Sequence, residues 1–491
     1  MLDRRQFLDM AALLALMGAG PGRAAGFDPA NADASAMALA LKRGETTPLA
    51  LVEDALARLA KVNGTLNACR HVYAEDARAA AKAVAKARAG APVAGLPTFT
   101  KDLSEERGRA YTQGSRLYAD RVGAADNAFT GAMAAAGLIS LGRSTTPEFG
   151  LMPTTEPLLG GATVNPWNPA HSCGGSSGGA AALVAAGVVP FAHASDGGGS
   201  IRIPASVNRL VGLKPSRGRM TGAEGAAGVT AVSVNGCVSR SVRDTAAWLA
   251  ALESRKGPLR PVGLVTGPGR MPLRIGLRAA GSGGEPDADV RAVFDSTLTL
   301  LKRLGHRPVE APAPYDAAAA ADAFLHIWGL GAAGDVKKAA AFLGRAPGPA
   351  ELEPATLAFA ARAAAAPPGR TEAAVAALEK AVAAYLGQFD SFDVLMTPVL
   401  AAPPPELGWL APEVPFETLL ERVVAIVGYT PLENAAGAPA IALPMGMSGK
   451  GLPIGLQFTA PPGQERRLLE LAYGLERARP WAGMKPALWA A

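Results

Sequence analysis

A lysine and two serine clusters framed by glycine carry the chemistry this chain can offer. Lys101 stands beside Asp102, and two runs follow: Cys173-Gly174-Gly175-Ser176-Ser177-Gly178-Gly179 and Asp196-Gly197-Gly198-Gly199-Ser200-Ile201-Arg202. Serine supplies a hydroxyl nucleophile and lysine a base for its proton. Glycine lets the backbone approach a ligand in conformations other residues avoid. A turn of three consecutive glycines also aims several backbone N–H groups at one point, where a negative charge formed in a reaction would sit. Together they look like a Ser-Ser-Lys site for amide hydrolysis.

Each part alone has a plainer reading. The Gly-Gly-Ser-Ser-Gly-Gly run has the composition of a flexible linker, and Lys101 that of a solvated lysine at a strand end. Ser177 reads as a helix N-cap and His193 as a satisfied core histidine. Asp196 and Arg202 read as an ion pair bracing the second loop. The neighbours argue against a linker. The first run passes into Ala180-Ala181-Ala182-Leu183-Val184-Ala185-Ala186, a small-residue helix ending at Gly187, and then into an apolar strand, Val188 to Ala192. The second cluster follows that strand at once, so both loops are held between regular elements.

Upstream, Thr47-Pro48 gives an N-cap and a first helical position for a helix carrying Leu51, Val52, Ala55, Leu56 and Leu59 and ending near Asn63-Gly64. A second helix is expected from Glu75 to Ala89, stopping at Gly90. From Gly95 onward short apolar runs, Leu138 to Gly142, Val188 to Ala192 and Leu273 to Leu277, alternate with helical stretches. That pattern predicts an α/β fold with a sheet covered by helices. Residues 254–272 read as a surface connection, and 401–415, with Pro403-Pro404-Pro405, as a rigid loop. The Ala-rich segment 317–366 shows no clear pattern, and no internal repeat is present.

The motifs, taken together, resemble those of the amidase signature family. The likeness is carried by Gly95-Leu96-Pro97-Thr98-Phe99-Thr100-Lys101-Asp102, by the two clusters, and by Gly212-Leu213-Lys214-Pro215, Thr397-Pro398 and Gly451-Leu452-Pro453-Ile454-Gly455-Leu456-Gln457. Within the family, Pro147-Glu148-Phe149-Gly150, Asn165-Pro166-Trp167-Asn168 and His193 to Gly199 resemble bacterial hydrolases of the 6-aminohexanoate cyclic dimer type. The resemblance implies one large α/β domain over residues 27–491, with a central mixed twisted sheet covered by helices on both faces. Residues 27–92 would form an N-terminal helical layer, 93–250 the signature core and 310–395 a variable substrate-cleft region. It further implies Ser200 as nucleophile, Ser176 as a bridging serine preceded by a cis peptide bond, and Lys101 as base. The backbone N–H groups of Gly197, Gly198, Gly199 and Ser200 would form an oxyanion hole, with Asp196, Arg202 and Ser177 in support.

Such a base must be partly neutral at working pH. That requires a shift from about 10.4 toward ~7–8, roughly 4 kcal/mol of differential solvation, and hence a buried amine. Two positions depart from the family pattern. Cys173 stands where proline is frequent, which would put a thiol near the site. Gly197 stands where an apolar residue is frequent, which would widen the hole.

The chain has 491 residues, 49% of them hydrophobic, enough for a large core, and a net charge of +6 with 18% charged residues. Beyond the first 25 residues it shows no dense basic block, which disfavours nucleic acid as a partner. The expected partners are a small-molecule amide substrate and, for assembly, a second copy in a homodimer. Few basic residues lie near the motifs, so an uncharged or weakly polar substrate is expected, first among them a linear or cyclic ω-amino acid amide. Arg4-Arg5 ahead of the apolar stretch Met10 to Gly20 and Pro21-Gly22-Arg23-Ala24-Ala25 predicts a twin-arginine export signal over residues 1–25 and a periplasmic protein. That stretch is shorter than the ~20 residues a membrane-spanning helix needs, so no stable anchor is expected. Three cysteines, Cys69, Cys173 and Cys237, permit one disulfide and show no metal-ligand spacing; the five histidines are scattered. No metal and no cofactor are expected.

Two other classes fit parts of the pattern. Gly174-Gly175-Ser176-Ser177-Gly178 also matches the G-x-S-x-G nucleophile elbow, which would make Ser176 the nucleophile of a Ser-His-Asp hydrolase with His306 or His326 as base. A non-catalytic amide-binding protein could use the same glycine-rich cleft, but it has no need of Lys101, Ser176 and Ser200 together. The glutamine-hydrolysing subunit of a tRNA amidotransferase shares the expected fold, and an export leader would separate it from its partners.

Overall fold

Residues 27–87 and 92–490 are described by the structure, a computed structural model. The expected leader therefore lies outside the described residues. Thr47 caps the helix Pro48–Leu66 by accepting a hydrogen bond from the Ala50 N–H at 3.1 Å, with Pro48 in its first turn. The helix does not stop at Asn63-Gly64. Asn63 stays helical because its side chain holds the chain beyond it, accepting from the N–H groups of Ala68 and Cys69. Leu66 is fully buried, and Asn67, at φ 50°, makes the left-handed exit. The next helix runs Ala74–Ala87; its expected end at Gly90 lies outside the described residues.

Strand β1 (Cys69–Val72) interrupts the expected helical layer. It pairs antiparallel with β3 (Ile139–Ser144), which pairs parallel with β2 (Pro97–Lys101). This three-stranded sheet, in the order β1-β3-β2, delivers Lys101 at the end of β2.

The large sheet has eight strands: β4 (Phe191–Asp196), β5 (Val211–Lys214), β6 (Val234–Ser239), β7 (Arg274–Leu277), β8 (Arg307–Glu310), β9 (Val394–Pro398), β10 (Ala440–Met447) and β11 (Pro453–Thr459), ordered β4-β6-β5-β10-β11-β9-β7-β8. The run from β4 to β9 is antiparallel, and β9-β7-β8 is parallel, so the sheet is mixed. Side chains alternate across it with period two. Ile441 and Leu443 of β10 join one apolar cluster with helices Val242–Leu252, Ala288–Arg303 and Glu465–Ala478, while Ala442 joins a second with helices Gly178–Ala185 and Arg202–Val207. The sheet is thus covered on both faces, and all eight residues of Gly178–Ala185 are buried. Small side chains let this helix sit against both sheets.

The strand expected at Val188–Ala192 is displaced. Gly187 turns at φ 80°, Pro190 has no N–H to give a ladder, and the strand begins at Phe191 and runs to Asp196. That shift places the second glycine cluster directly at the strand end. The Ala-rich segment contains two helices, Ala317–Leu343 and Pro354–Ala364. Residues 401–415 hold no helix or strand. The carbonyls of Pro404 and Pro405 meet His171 Nδ1 and the Ser172 N–H just ahead of the first cluster.

Candidate active site

The end of β2 lies beside β4, and Lys101 is fully buried there. Its Nζ lies 2.8 Å from Ser176 Oγ, 2.8 Å from Ser177 Oγ and 3.1 Å from Ser195 Oγ. No carboxylate pairs with it among the described residues. Asp102, next in sequence, turns to the Thr112 N–H and hydroxyl and to Arg143. Burial therefore brings the Lys101 amine down to about 7, opposed only by the more distant Asp196. A neutral amine has two donors and one lone pair, which three hydroxyl partners satisfy.

Ser176 and Ser177 reach this amine because the glycine run is pressed into the interior. The Gly175–Ser176 peptide is cis. A Cβ on Gly175 would stand 2.4 Å from the Thr154 carbonyl oxygen, so no larger residue fits. Thr155 Oγ1 donates to the Gly174 carbonyl and Asn208 Nδ2 to that of Cys173, which fixes the loop. Ser177 occupies the N-cap position of Gly178–Ala185, but its side chain does not cap. It accepts from Lys101 and donates to the Ser195 carbonyl instead.

At the end of β4, Asp196 shapes the second loop. Its carboxylate accepts from the N–H groups of Gly199 at 2.7 Å and Ile201 at 3.1 Å, and Arg202 pairs with it at 3.0 Å. Burial alone would raise this carboxyl; the Arg202 charge and hydrogen bonds outweigh it and hold the carboxyl well below its ordinary range. Arg202 also reaches Glu433, Gln457, Asn434 and the Thr430 carbonyl, so its charge is compensated throughout. The Gly199 N–H is spent on Asp196, which removes it from the expected oxyanion hole. The N–H groups of Gly197, Gly198 and Ser200 have no partner among the described residues. Gly199 sits at φ 134°, and a Cβ there would come 2.4 Å from Thr430 Oγ1.

The Ser200 hydroxyl bonds to no described residue and lines a cavity of about 150 Å³. The walls are chiefly apolar, with Met152, Phe324, Leu325, Trp328 and Phe359 among them. Phe324 and Trp328 stack at 5.9 Å over the second loop, and a Cβ on Gly197 would stop 3.3 Å from the Trp328 ring. The space that Gly197 leaves is thus taken up by tryptophan. Trp328 Nε1 donates to the Leu151 carbonyl, tying helix Ala317–Leu343 to residues 150–153, which also line the cavity.

The structure brings Lys101, Ser176 and Ser177 together in one hydrogen-bonded cluster, and Ser200 with Gly198 at the cavity wall. It does not bring a histidine to Ser176. His306 Nδ1 accepts from the Leu273 N–H, and His326 Nε2 bonds Thr371 Oγ1. His193 accepts from the Lys101 backbone N–H and meets Asn235; burial lowers it to about 3, so it is a neutral core histidine. All three cysteines are buried and free, so no disulfide forms among them. Burial pushes the Cys173 thiol up, leaving it inert. Sequence reading missed Ser195, Thr430 and Asn434. Ser195 had a signal, because the period of two puts it on the same face of β4 as His193. Thr430 and Asn434, which bond the Gly198 carbonyl and Asp196, come from the distant short helix Pro431–Ala436 and the residue ahead of it, which carry no motif.

A buried amine of lowered basicity, a serine bonded to it and a second serine at an apolar cavity are groups suited to acyl transfer. Comparison with known proteins gives the family. The Amidase family model matches residues 50–469, and the chain belongs to this family, the amidase signature enzymes. A putative amidase AmiC of Mycobacterium bovis (strain ATCC BAA-935 / AF2122/97) is 39% identical over 453 residues, 92% of this chain and 95% of its own. The 6-aminohexanoate-cyclic-dimer hydrolase of Pseudomonas sp. (strain NK87) is 34% identical over 489 residues, covering 93% and 96%. Among solved structures, that of 6-aminohexanoate cyclic dimer hydrolase complexed with substrate superposes with a TM-score of 0.83 at 31% identity, over 94% of this chain and 99% of the other. The protein is an amide-hydrolysing enzyme that acts on small molecules, on the mixed α/β fold its motifs imply.

Proposed function

We propose that the enzyme cleaves a carboxamide C–N bond through an acyl-Ser200 intermediate, with Ser176 as proton relay and Lys101 as base. One observation carries this reading: a buried lysine without a carboxylate partner lies 2.8 Å from Ser176 Oγ. Ser200 Oγ adds to the amide carbonyl carbon as its proton passes to Ser176 Oγ, whose own proton goes to Lys101 Nζ. The oxyanion is received by the N–H groups of Gly197, Gly198 and Ser200, each such donor being worth about 10²–10³ in rate in other acyl-transfer enzymes. Collapse breaks the C–N bond, and the amine leaves with the proton returned along the same path. Water, activated in the same way, then hydrolyses the ester.

The apolar cavity and the 6-aminohexanoate-cyclic-dimer hydrolase relatives favour a linear or cyclic aliphatic amide, such as an aminohexanoate oligomer, with aryl amides next. A fluorophosphonate should label the protein at Ser200, read by peptide mass spectrometry. Labelling at Ser176 would overturn the assignment. We also propose that residues 1–25 are a twin-arginine leader and that the enzyme works in the periplasm. The support is Arg4-Arg5 and the short apolar stretch behind them.

A further inference from the structure

The fold brings into the cavity a charge that no motif announces. Arg278, just beyond β7, lines the same cavity as Ser200 and Gly198, and so does Tyr315. The guanidinium is half-buried and locked in place by neutral acceptors. Nε donates to the Ala311 carbonyl at 2.9 Å, and one terminal nitrogen donates to Gln388 Oε1 at 2.6 Å and to the Pro312 carbonyl at 3.1 Å. The other terminal nitrogen meets only Tyr315 Oη, at 3.4 Å. Arg278 forms no ion pair among the described residues. Glu433, the carboxylate on the same cavity wall, is taken by Arg202, Tyr385 and Gln457. The Tyr315 hydroxyl accepts from Arg278 and donates to no described residue. Burial pushes it up to about 12, so it keeps its proton to give.

A half-buried guanidinium without a counter-charge, fixed by its neighbours and flanked by a second free donor, suits a carboxylate. The terminal nitrogen that meets Tyr315 keeps an N–H to give to such a group, and the cost of desolvating the guanidinium is recovered when the anion arrives. We propose that Arg278 and Tyr315 anchor a carboxylate on the substrate, separated from the scissile amide by an apolar chain lying along Phe324 and Trp328. The enzyme would thereby select amides with a remote acid group, in place of the uncharged substrates that the residues near the motifs suggest. The proposal rests on the reading of Ser200 as the reacting group.

The test compares monoanilides of straight-chain dicarboxylic acids with alkanoyl anilides of equal chain length, near pH 7.5. At the best length the native enzyme should favour the carboxylate by at least about tenfold in kcat/KM, mainly through KM, as hydrogen bonds to charged groups allow. In Arg278→Gln the ratio should fall to about one. Arg278→Lys should keep part of it, and Tyr315→Phe should lower it severalfold. A native ratio at or below one at every length, or a ratio unchanged in Arg278→Gln, would overturn the proposal. Should Arg278→Gln not fold, ratios unchanged in both Arg278→Lys and Tyr315→Phe would do the same. Calorimetry on Ser200→Ala reads the anchor without chemistry: the monoamide of adipic acid should bind at least tenfold more tightly than hexanamide, and equal binding contradicts the anchor. Selectivity for the monoamide together with labelling away from Ser200 would sink the nucleophile and leave the anchor standing.

Discussion

Lys101 Nζ is as close to Ser177 Oγ as to Ser176 Oγ, 2.8 Å in each case. The two neighbours differ in what lies beyond them. Ser177 Oγ bonds the Ser195 backbone, whereas Ser176 Oγ has no partner among the described residues except the amine. Ser177 therefore orients the amine, and Ser176 is free to pass a proton on. Ser177→Ala should lower kcat about tenfold, the worth of one neutral hydrogen bond, with KM little changed. Ser176→Ala should cost ~10²–10⁴, the range of general acid–base catalysis. Steady-state kinetics of both variants on one anilide checks the order.

Arg202 and Asp196 form a wholly buried pair at 3.0 Å beside the second glycine loop. Removing one partner strands the other charge in the interior, at a cost of about 3–5 kcal/mol. Arg202→Met should therefore lower the thermal midpoint by several degrees and reduce soluble yield. Unchanged thermal unfolding would show that the pair does not brace the loop.

Gly199→Ala places a methyl where Thr430 Oγ1 stands and forces alanine into a conformation that favours glycine. Loss of Ser200 labelling with little loss of folded protein is expected, since the loop shifts before the sheets do. Adding Thr430→Ala removes the clashing Oγ1 but not the backbone strain, so the double variant should stay inactive. Recovery of labelling in it would point to the clash alone.

If residues 1–25 are an export signal, the mature protein begins near residues 25–27. Replacing Arg4 and Arg5 by lysine should leave the unprocessed chain in the cytoplasm. N-terminal sequencing after cell fractionation checks this. Continued export, or an intact N-terminus in the native protein, contradicts it.

The sequence made the site legible where chemistry and backbone constraint coincide. Glycines flank Ser176 and Ser200 because backbone passes close by, and small residues fill 180–186 because that helix lies between two sheets. Both constraints leave runs that composition reveals. The ends of elements were less legible. Asn63 looked like a helix stop, but its amide holds the residues after it, and only a tertiary contact decides between those roles. The Gly199 N–H looked like an oxyanion donor, but Asp196 competes for it at 2.7 Å. Trp328 and Arg278, which line the cavity, and Thr430, which bonds the second loop, carried no local signal, because they arrive through chain connections of many residues.

The central claim is that Lys101 works as a neutral base, and the pH–rate profile tests it most directly. Lys101 lies at about 7, well below the ordinary range of a lysine amine, because burial disfavours the ammonium. Below that value the amine is protonated and cannot accept the relayed proton; above it the amine is free. kcat/KM on an anilide should therefore rise with pH through about 7 and level off, the midpoint belonging to the coupled Lys-Ser-Ser unit. Lys101→Ala should cost several powers of ten on the anilide and less on its matched ester, whose leaving group needs little protonation. Lys101→Arg should restore little, because a guanidinium keeps its proton throughout this range. Near-native anilide turnover by Lys101→Arg, with the same rise through about 7, would contradict the account and leave Lys101 a structural cation.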